Sequence, residues 1–122
     1  MLFRAALLGF AAAVASFAAG IPVAKAQLQY AQRCDTNIRV VNNSRSNVTR
    51  LYYNPSSNSN WGPDRLGGNV LRPGQSMVFR LGNEVPYDFR VVWRGNEAAE
   101  MRSTNICAIS AVVITEDGLR VR

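Results

Sequence analysis

The sequence predicts an all-β fold, a small antiparallel β-sandwich of six or seven strands that follows a cleaved signal peptide. Residues 87–94 alternate apolar and polar side chains, which is typical of a half-buried strand. Similar short runs recur as far as residue 122, separated by turns rich in Asn, Ser, Gly and Pro. Residues 27–122 contain no sustained helical period, so we expect a sandwich, with a small β-barrel as the alternative.

The first 26 residues have the organisation of a secretory signal peptide. Arg4 precedes an apolar stretch over residues 5–19, and Pro22 ends that stretch before the small-x-small sequence at 24–26. We expect cleavage after Ala26 and a periplasmic or secreted protein with one domain over residues 27–122. The alternative is an uncleaved anchor, since residues 5–23 together are nearly long enough to span a bilayer.

The strands are predicted in order from their local patterns. Residues 38–41 and 48–53 are β-branched and aromatic runs, joined by an Asn- and Ser-rich turn. Residues 76–81 alternate, with Met77, Phe79 and Leu81 directed to the core. The strand over residues 87–94 directs Tyr87, Phe89, Val91 and Trp93 to the core.

The remaining strands follow from turn chemistry and from one apolar run. Residues 97–102 come after Gly95-Asn96, which predicts a tight hairpin with the preceding strand. Residues 108–115 form a largely apolar run, as expected for a strand that is buried on both faces. Asp117-Gly118 then turns the chain into a last strand at 119–122.

Composition excludes several classes of chemistry. The chain has no histidine, which removes the commonest general base, the His-dependent nucleophile systems and most zinc sites. After the signal peptide come twelve Arg, no Lys and eight acidic residues, a net charge of +4. Part of the basic pI therefore belongs to the discarded segment, and we do not expect a nucleic-acid partner. We expect no enzyme activity, no cofactor and no metal.

The two cysteines stand near opposite ends of the exported chain, at Cys34 and Cys107. In an oxidising compartment such a pair favours a disulfide, which would stabilise the fold by about 4 kcal/mol in the chain-entropy model. Two free thiols or an intermolecular bridge remain the alternatives.

One connection, residues 54–71, is longer than most loops of a compact domain, and such loops are usually functional or disordered. We expect Trp61 to cover one end of the core, with a ligand-stacking role as the alternative. Asp64 is expected to bind loop amides or a nearby arginine. The loop has too few carboxylates for calcium, which prefers several.

A second group of candidate residues shares the strand positions opposite to the core: Arg80, Arg90, Arg94 and Arg102. If their strands are neighbours, these guanidinium groups share one sheet face, which would suit carboxylates and phosphates. The alternative is a solvated face of ion pairs, formed with Asp88, Glu97 and Glu100.

Several motifs together resemble a family of small exported bacterial proteins, many from alphaproteobacteria, with a β-sandwich-like pattern and no established activity. The motifs are Leu51-Tyr52-Tyr53-Asn54-Pro55-Ser56-Ser57, Trp61-Gly62-Pro63-Asp64-Arg65-Leu66-Gly67, Leu71-Arg72-Pro73-Gly74 and Tyr87-Asp88-Phe89-Arg90-Val91-Val92. Relatives often have a cysteine shortly before the Tyr-Asp pair, where this chain has Glu84-Val85-Pro86. Cys34 would then be a substitute partner for Cys107. The resemblance implies export and the fold, and adds no chemistry.

These observations favour an exported, monomeric, non-catalytic binding module without a transmembrane anchor after cleavage. Its partner is an unknown protein or an anionic component of the envelope, and we place the 54–71 loop first as the recognition surface. The alternative function is binding of anionic lipid or polysaccharide through the arginine face. A small hydrolase that uses the carboxylate pairs 97/100 or 116/117 is the least favoured reading.

Overall fold

The computed structural model describes residues 34–122, which form seven strands and one short 3₁₀ helix at Ile106–Ala108. The predicted signal peptide lies outside the described residues. Within them, no helix is long and apolar enough to cross a membrane. In chain order the strands are β1 (Asn37–Asn42), β2 (Val48–Pro55), β3 (Ser76–Arg80), β4 (Tyr87–Trp93), β5 (Ala98–Thr104), β6 (Ala111–Thr115) and β7 (Gly118–Val121).

The strands form two sheets, which confirms the predicted all-β sandwich. One sheet has the order β3-β1-β6-β7 and the other has the order β2-β4-β5. The ladders are antiparallel except that between β1 and β6, which is parallel. A parallel pair needs a long crossover, and here the chain between β1 and β6 supplies it by forming the whole three-stranded sheet.

The alternation in β4 places its aromatic residues in the core, as predicted. Tyr87, Phe89 and Val91 are almost completely buried, and β4 lies in the middle of its sheet. The predicted hairpin to β5 is present, and both Gly95 (φ 95°) and Asn96 (φ 71°) have the positive φ that such tight turns need.

Buried side chains from both sheets form one hydrophobic cluster. Its aromatic part is centred on Tyr53, whose ring lies 5.7 Å from that of Phe79 and 6.2 Å from those of Tyr87 and Phe89. The contact with Phe79 joins the two sheets, because β3 belongs to the four-stranded sheet and β2 to the other. Edge-on aromatic contacts of this kind add to the free energy of area burial.

The apolar run at 108–115 is only partly a strand. Strand β6 begins at Ala111 and is buried on both faces over its first four residues, as expected for a continuous apolar run. Ala108, the first residue of the run, belongs instead to the 3₁₀ helix, whose turn is capped by Asn105, which accepts the amide N–H of Cys107 at 3.1 Å.

A buried polar network fixes the turn between β1 and β2. Asn42, fully buried, donates to the carbonyl oxygens of Ser46 and Leu71, each at 2.9 Å. Its own side-chain oxygen accepts the hydroxyl of Ser44 at 2.6 Å, and Ser44 accepts the indole N–H of Trp93 at 3.0 Å. These hydrogen bonds therefore hold the β1–β2 turn, the loop residue Leu71 and β4 together at this end of the sandwich.

The disulfide between Cys34 and Cys107 is present, with Cα atoms 5.3 Å apart. It joins the residues before β1 to the 3₁₀ helix, across a sequence separation of 73. No free cysteine remains among the described residues.

Candidate functional site

The long loop after β2 covers the free edge of that strand. The Asp64 carboxylate accepts the amide N–H groups of Leu51 and Leu66, each at 3.0 Å, and the amide of Arg65 donates to the Leu51 carbonyl oxygen at 2.7 Å. Further on, Leu71 forms an isolated bridge with Val48. Asp64 therefore holds the loop against the sheet, the structural role we considered for it.

The expectation that Trp61 covers one end of the core is wrong. Its half-buried ring lies with that of Tyr52 (centroids 6.5 Å apart), and the Arg102 guanidinium stands 4.7 Å from its centroid. Tyr52 and Arg102 occupy β2 and β5 positions that alternate with the core residues, so Trp61 lies on the outer face of the three-stranded sheet. The following turn needs glycine: Gly62 has φ 77°, and a Cβ there would lie 2.9 Å from the Asn54 side-chain nitrogen.

Arg102 also contacts Asp88, a buried carboxylate with three hydrogen-bond donors. It accepts the Ser56 hydroxyl at 2.6 Å, the Ser103 amide at 2.8 Å and the Arg102 guanidinium at 3.0 Å. Burial alone raises the pKa of Asp88, but these hydrogen bonds and the charge of Arg102 outweigh it, so the net pKa is lowered. Asp88 is therefore ionised at neutral pH and joins the loop, β4 and β5.

Glu100 lies between two arginines on the same face. It accepts Arg102 at 2.6 Å and is also ion-paired with Arg90. The hydrogen bond from Arg102, and after it that from Arg90, lowers the pKa of Glu100 despite its partial burial. The positive charges of Arg90 and Arg102 are thus balanced by carboxylates that they contact.

The four sequence-predicted arginines do not share one surface. Arg90 and Arg102 lie together on the three-stranded sheet, and Arg94 follows β4 at the far end of the same face. Arg80 is on β3, which belongs to the other sheet. The condition that their strands be neighbours therefore holds for β4 and β5 and not for β3.

The outer face of the four-stranded sheet carries a different set of arginines. Core residues such as Ile38, Val40, Val112 and Ile114 alternate with the residues of this face, which has no acidic side chain at its strand positions. We call it the basic face, and define it by Arg39, Arg80, Arg120 and Arg122 together with Val41, Val78, Ala111 and Val113. The sequence contained a signal for Arg39 and Arg120, because each stands between two apolar strand residues.

Among the described residues, the arginines of the basic face have no carboxylate partners. Within residues 34–122, no carboxylate lies within 4.0 Å of the four guanidinium groups, whereas Arg39 donates to the Ser76 hydroxyl at 3.0 Å. One row across the strands reads Val78, Arg39, Ala111 and Arg122, and Arg120 stands in the next row beside Val113. Val78 is 52% exposed.

Two clefts lie at strand edges. One, of about 520 Å³, is lined by residues 68–72 and 75–77 beside β3. The other, of about 320 Å³, lies between the start of β5 and the β6–β7 turn, where Glu97, Glu116 and Asp117 line it. Glu97 and Glu116 therefore line the same cleft, whereas Glu100, which the sequence paired with Glu97, belongs to the ion pairs described above.

The described residues hold one group with metal-ligating side chains, formed by Cys34, Glu84 and Cys107. Both sulfur atoms are in the disulfide, so thiolate ligands are not present there.

Comparisons of the chain with protein-family models, with curated proteins and with solved structures found no match.

Proposed function

We propose that this protein is an exported, non-catalytic binding module whose basic face binds the anionic surface of a membrane. The observation that carries the proposal is that none of the four arginines of that face has a carboxylate partner among residues 34–122, whereas Arg90 and Arg102 on the opposite sheet are both ion-paired. The 54–71 loop is a weaker candidate, because Asp64 and Trp61 are already engaged within the protein.

Charge and shape both support a lipid surface. Four strands at about 4.8 Å spacing make a face about 14 Å wide, over which the guanidinium groups are spread in two dimensions. A plane of phosphate headgroups matches such an array, whereas a single polymer chain contacts one row at a time. The exposed Val78 adds apolar surface among the charges, as in proteins that lie at a bilayer interface.

The resemblance to small exported bacterial proteins and the disulfide support an extracytoplasmic location. The intact mass of the exported protein tests this part. We expect a chain that starts at Gln27 and is lighter by two hydrogens than the reduced sequence. Retention of Met1 would overturn the proposed cleavage.

Sedimentation with vesicles tests the membrane contact. The variant Arg39→Gln, Arg120→Gln is compared with Arg50→Gln, Arg94→Gln, which removes the same charge from the other sheet. Vesicles of phosphatidylcholine mixed with phosphatidylglycerol should bind the basic-face variant about thirtyfold more weakly than wild type, at about 1 kcal/mol per arginine. The control variant should change binding less than about threefold, and added salt should weaken wild-type binding.

Equal losses in both variants would show that net charge, and not the basic face, is responsible. Binding to phosphatidylcholine alone would exclude recognition of the anionic headgroup. Alginate, a soluble anionic polysaccharide, is the third arm: binding to alginate without binding to vesicles would overturn the lipid proposal in favour of a polymer.

A further inference from the structure

The outer edge of β3 carries backbone groups that the rest of the described chain leaves free. In the β1–β3 ladder the Gln75 carbonyl accepts from Asn42, and the Leu81 amide donates to Thr36. In an antiparallel ladder, alternate residues direct their backbone N–H and C=O groups to the same neighbour. The backbone groups of the odd-numbered residues of β3 therefore point to β1, and those of Ser76, Val78 and Arg80 point to the other side. No backbone partner for these groups occurs within residues 34–122.

The edge of β2 shows the opposite arrangement. There, Asp64, Arg65 and Leu71 hydrogen-bond to the strand, so its backbone groups are satisfied by the long loop. Proteins commonly cover or blunt their edge strands, because an exposed edge is a template for another strand. The loop covers β2 and leaves β3 accessible.

A cleft with one arginine in its wall accompanies the open edge. Its volume is about 520 Å³, and Val70, Leu71 and Met77 are among the side chains that line it. Val70 is 37% exposed. Arg72 lies in the wall of the cleft and Arg80 at the far end of β3, so a ligand along the edge meets positive charge at both ends.

We propose that the β3 edge binds an extended acidic peptide, which adds as a further strand to the four-stranded sheet. Main-chain hydrogen bonds to Ser76, Val78 and Arg80 supply affinity that does not depend on sequence, as in other strand additions. An apolar side chain of the peptide enters the cleft beside Val70, and its carboxylates contact Arg72 and Arg80. This site uses the edge of the sheet, and it shares Val78 and Arg80 with the basic face, while Arg72 and the cleft belong to the edge site alone.

A second copy of the chain fits the edge less well than an acidic peptide. Symmetric pairing of two β3 strands would join two basic faces into one surface with eight arginines and no acidic side chain at its strand positions. Like charges on neighbouring strands destabilise such pairing. An acidic peptide balances the same arginines.

The test combines a backbone variant with amide hydrogen exchange. Val78→Pro removes the outward amide at a position where an edge strand tolerates proline, and Val78→Ala is the matched control, since it removes the side chain and keeps the amide. The probes are fluorescent eight-residue peptides of alternating aspartate and valine, or of alternating lysine and valine. Far-UV circular dichroism checks that both variants fold.

We expect the acidic peptide to bind wild type and to slow exchange at the Ser76, Val78 and Arg80 amides. Val78→Pro should weaken binding about tenfold, because it removes a main-chain hydrogen bond and distorts the edge. Val78→Ala should weaken it less than about threefold. Arg72→Gln should also weaken it, while vesicle binding of this variant stays at the wild-type level.

Other results would overturn the proposal. Equal affinity for the lysine peptide would remove the charge argument, and equal effects of the proline and alanine variants would remove the backbone contact. Protection of the three amides that rises with protein concentration, without peptide, would identify a second copy as the occupant. Normal vesicle binding together with no peptide binding would refute this site and leave the basic-face proposal intact.

Discussion

Replacement of Asp88 by asparagine should destabilise the fold at neutral pH and much less in acid. One carboxylate oxygen of Asp88 accepts from Ser56 and Ser103, and the other accepts from Arg102 at 3.0 Å. Asparagine can keep the first oxygen in place. Its amide nitrogen, however, would face the Arg102 guanidinium, so that two donors meet where a charged hydrogen bond was present.

The cost follows from the environment of the carboxylate. Its side chain is 8% exposed, whereas that of Arg102 is 58% exposed, so water can replace the interaction only on the arginine side. A hydrogen bond to a charged group contributes about 1.5–3 kcal/mol, and we expect a loss of about 2 kcal/mol in the free energy of unfolding. For a domain of this size, that is a decrease in Tm of about 8–16 °C.

The difference in stability between wild type and Asp88→Asn should depend on pH. The pKa of Asp88 is lowered in the folded state, so the unfolded state binds a proton first as the pH falls. The stabilisation is complete above the unfolded pKa of about 4 and is lost as the pH falls through the folded value. Urea denaturation of wild type and Asp88→Asn should therefore differ at pH 7 and converge as the pH falls through the lowered pKa of Asp88.

A double-mutant cycle with Arg102→Gln isolates the contact. We expect the two substitutions to be less than additive by about 1 kcal/mol, because each removes the same ion pair. The reasoning is refuted if Asp88→Asn unfolds at the wild-type urea concentration at pH 7. It is also refuted if the difference at pH 7 persists undiminished in acid.

Three further changes test the other stabilising contacts. Replacing both Cys34 and Cys107 by serine should lower the free energy of unfolding by about 4 kcal/mol, measured by urea denaturation; no change on reduction of wild type would contradict this. Asp64→Ala should cost about 1–3 kcal/mol and speed exchange of the Leu51 amide, and unaltered exchange would show that another group holds the loop. Asn42→Ala should cost about 2–4 kcal/mol by thermal unfolding, since it leaves several buried polar groups unpaired; a Tm within two degrees of wild type, about 0.5 kcal/mol, would oppose that account.

The strands could be predicted from local pattern because burial on a sheet has a period of two. In β4 the apolar residues of one parity predict the strand and its core face together, and Gly95-Asn96 predicts the hairpin that follows. The 3₁₀ helix at Ile106–Ala108 was missed, since its apolar residues continue the pattern of β6 and only the cap at Asn105 marks it.

The candidate site was less accessible to such reasoning. Strand parity correctly placed Arg90 and Arg102 on an outer face, and the sequence also offered Asp88 and Glu100 as their partners. It did not show that β3 joins the other sheet, which separates Arg80 from them. Nor did it show that Trp61 lies on that face beside Arg102.

By itself, the sequence determined the strand content and the core-facing residues, and it predicted the pair Cys34 and Cys107 as a disulfide. The strands and their core faces depend on neighbouring residues and on the period of a strand. The disulfide could be predicted because the chain has two cysteines, which allow a single intramolecular pairing. Only the tertiary structure decided which strands are adjacent, and with that which arginines are paired and which edges are open. Strand order is set by packing between distant segments, and the parallel pairing of β1 with β6 created the basic face, which no local pattern contains.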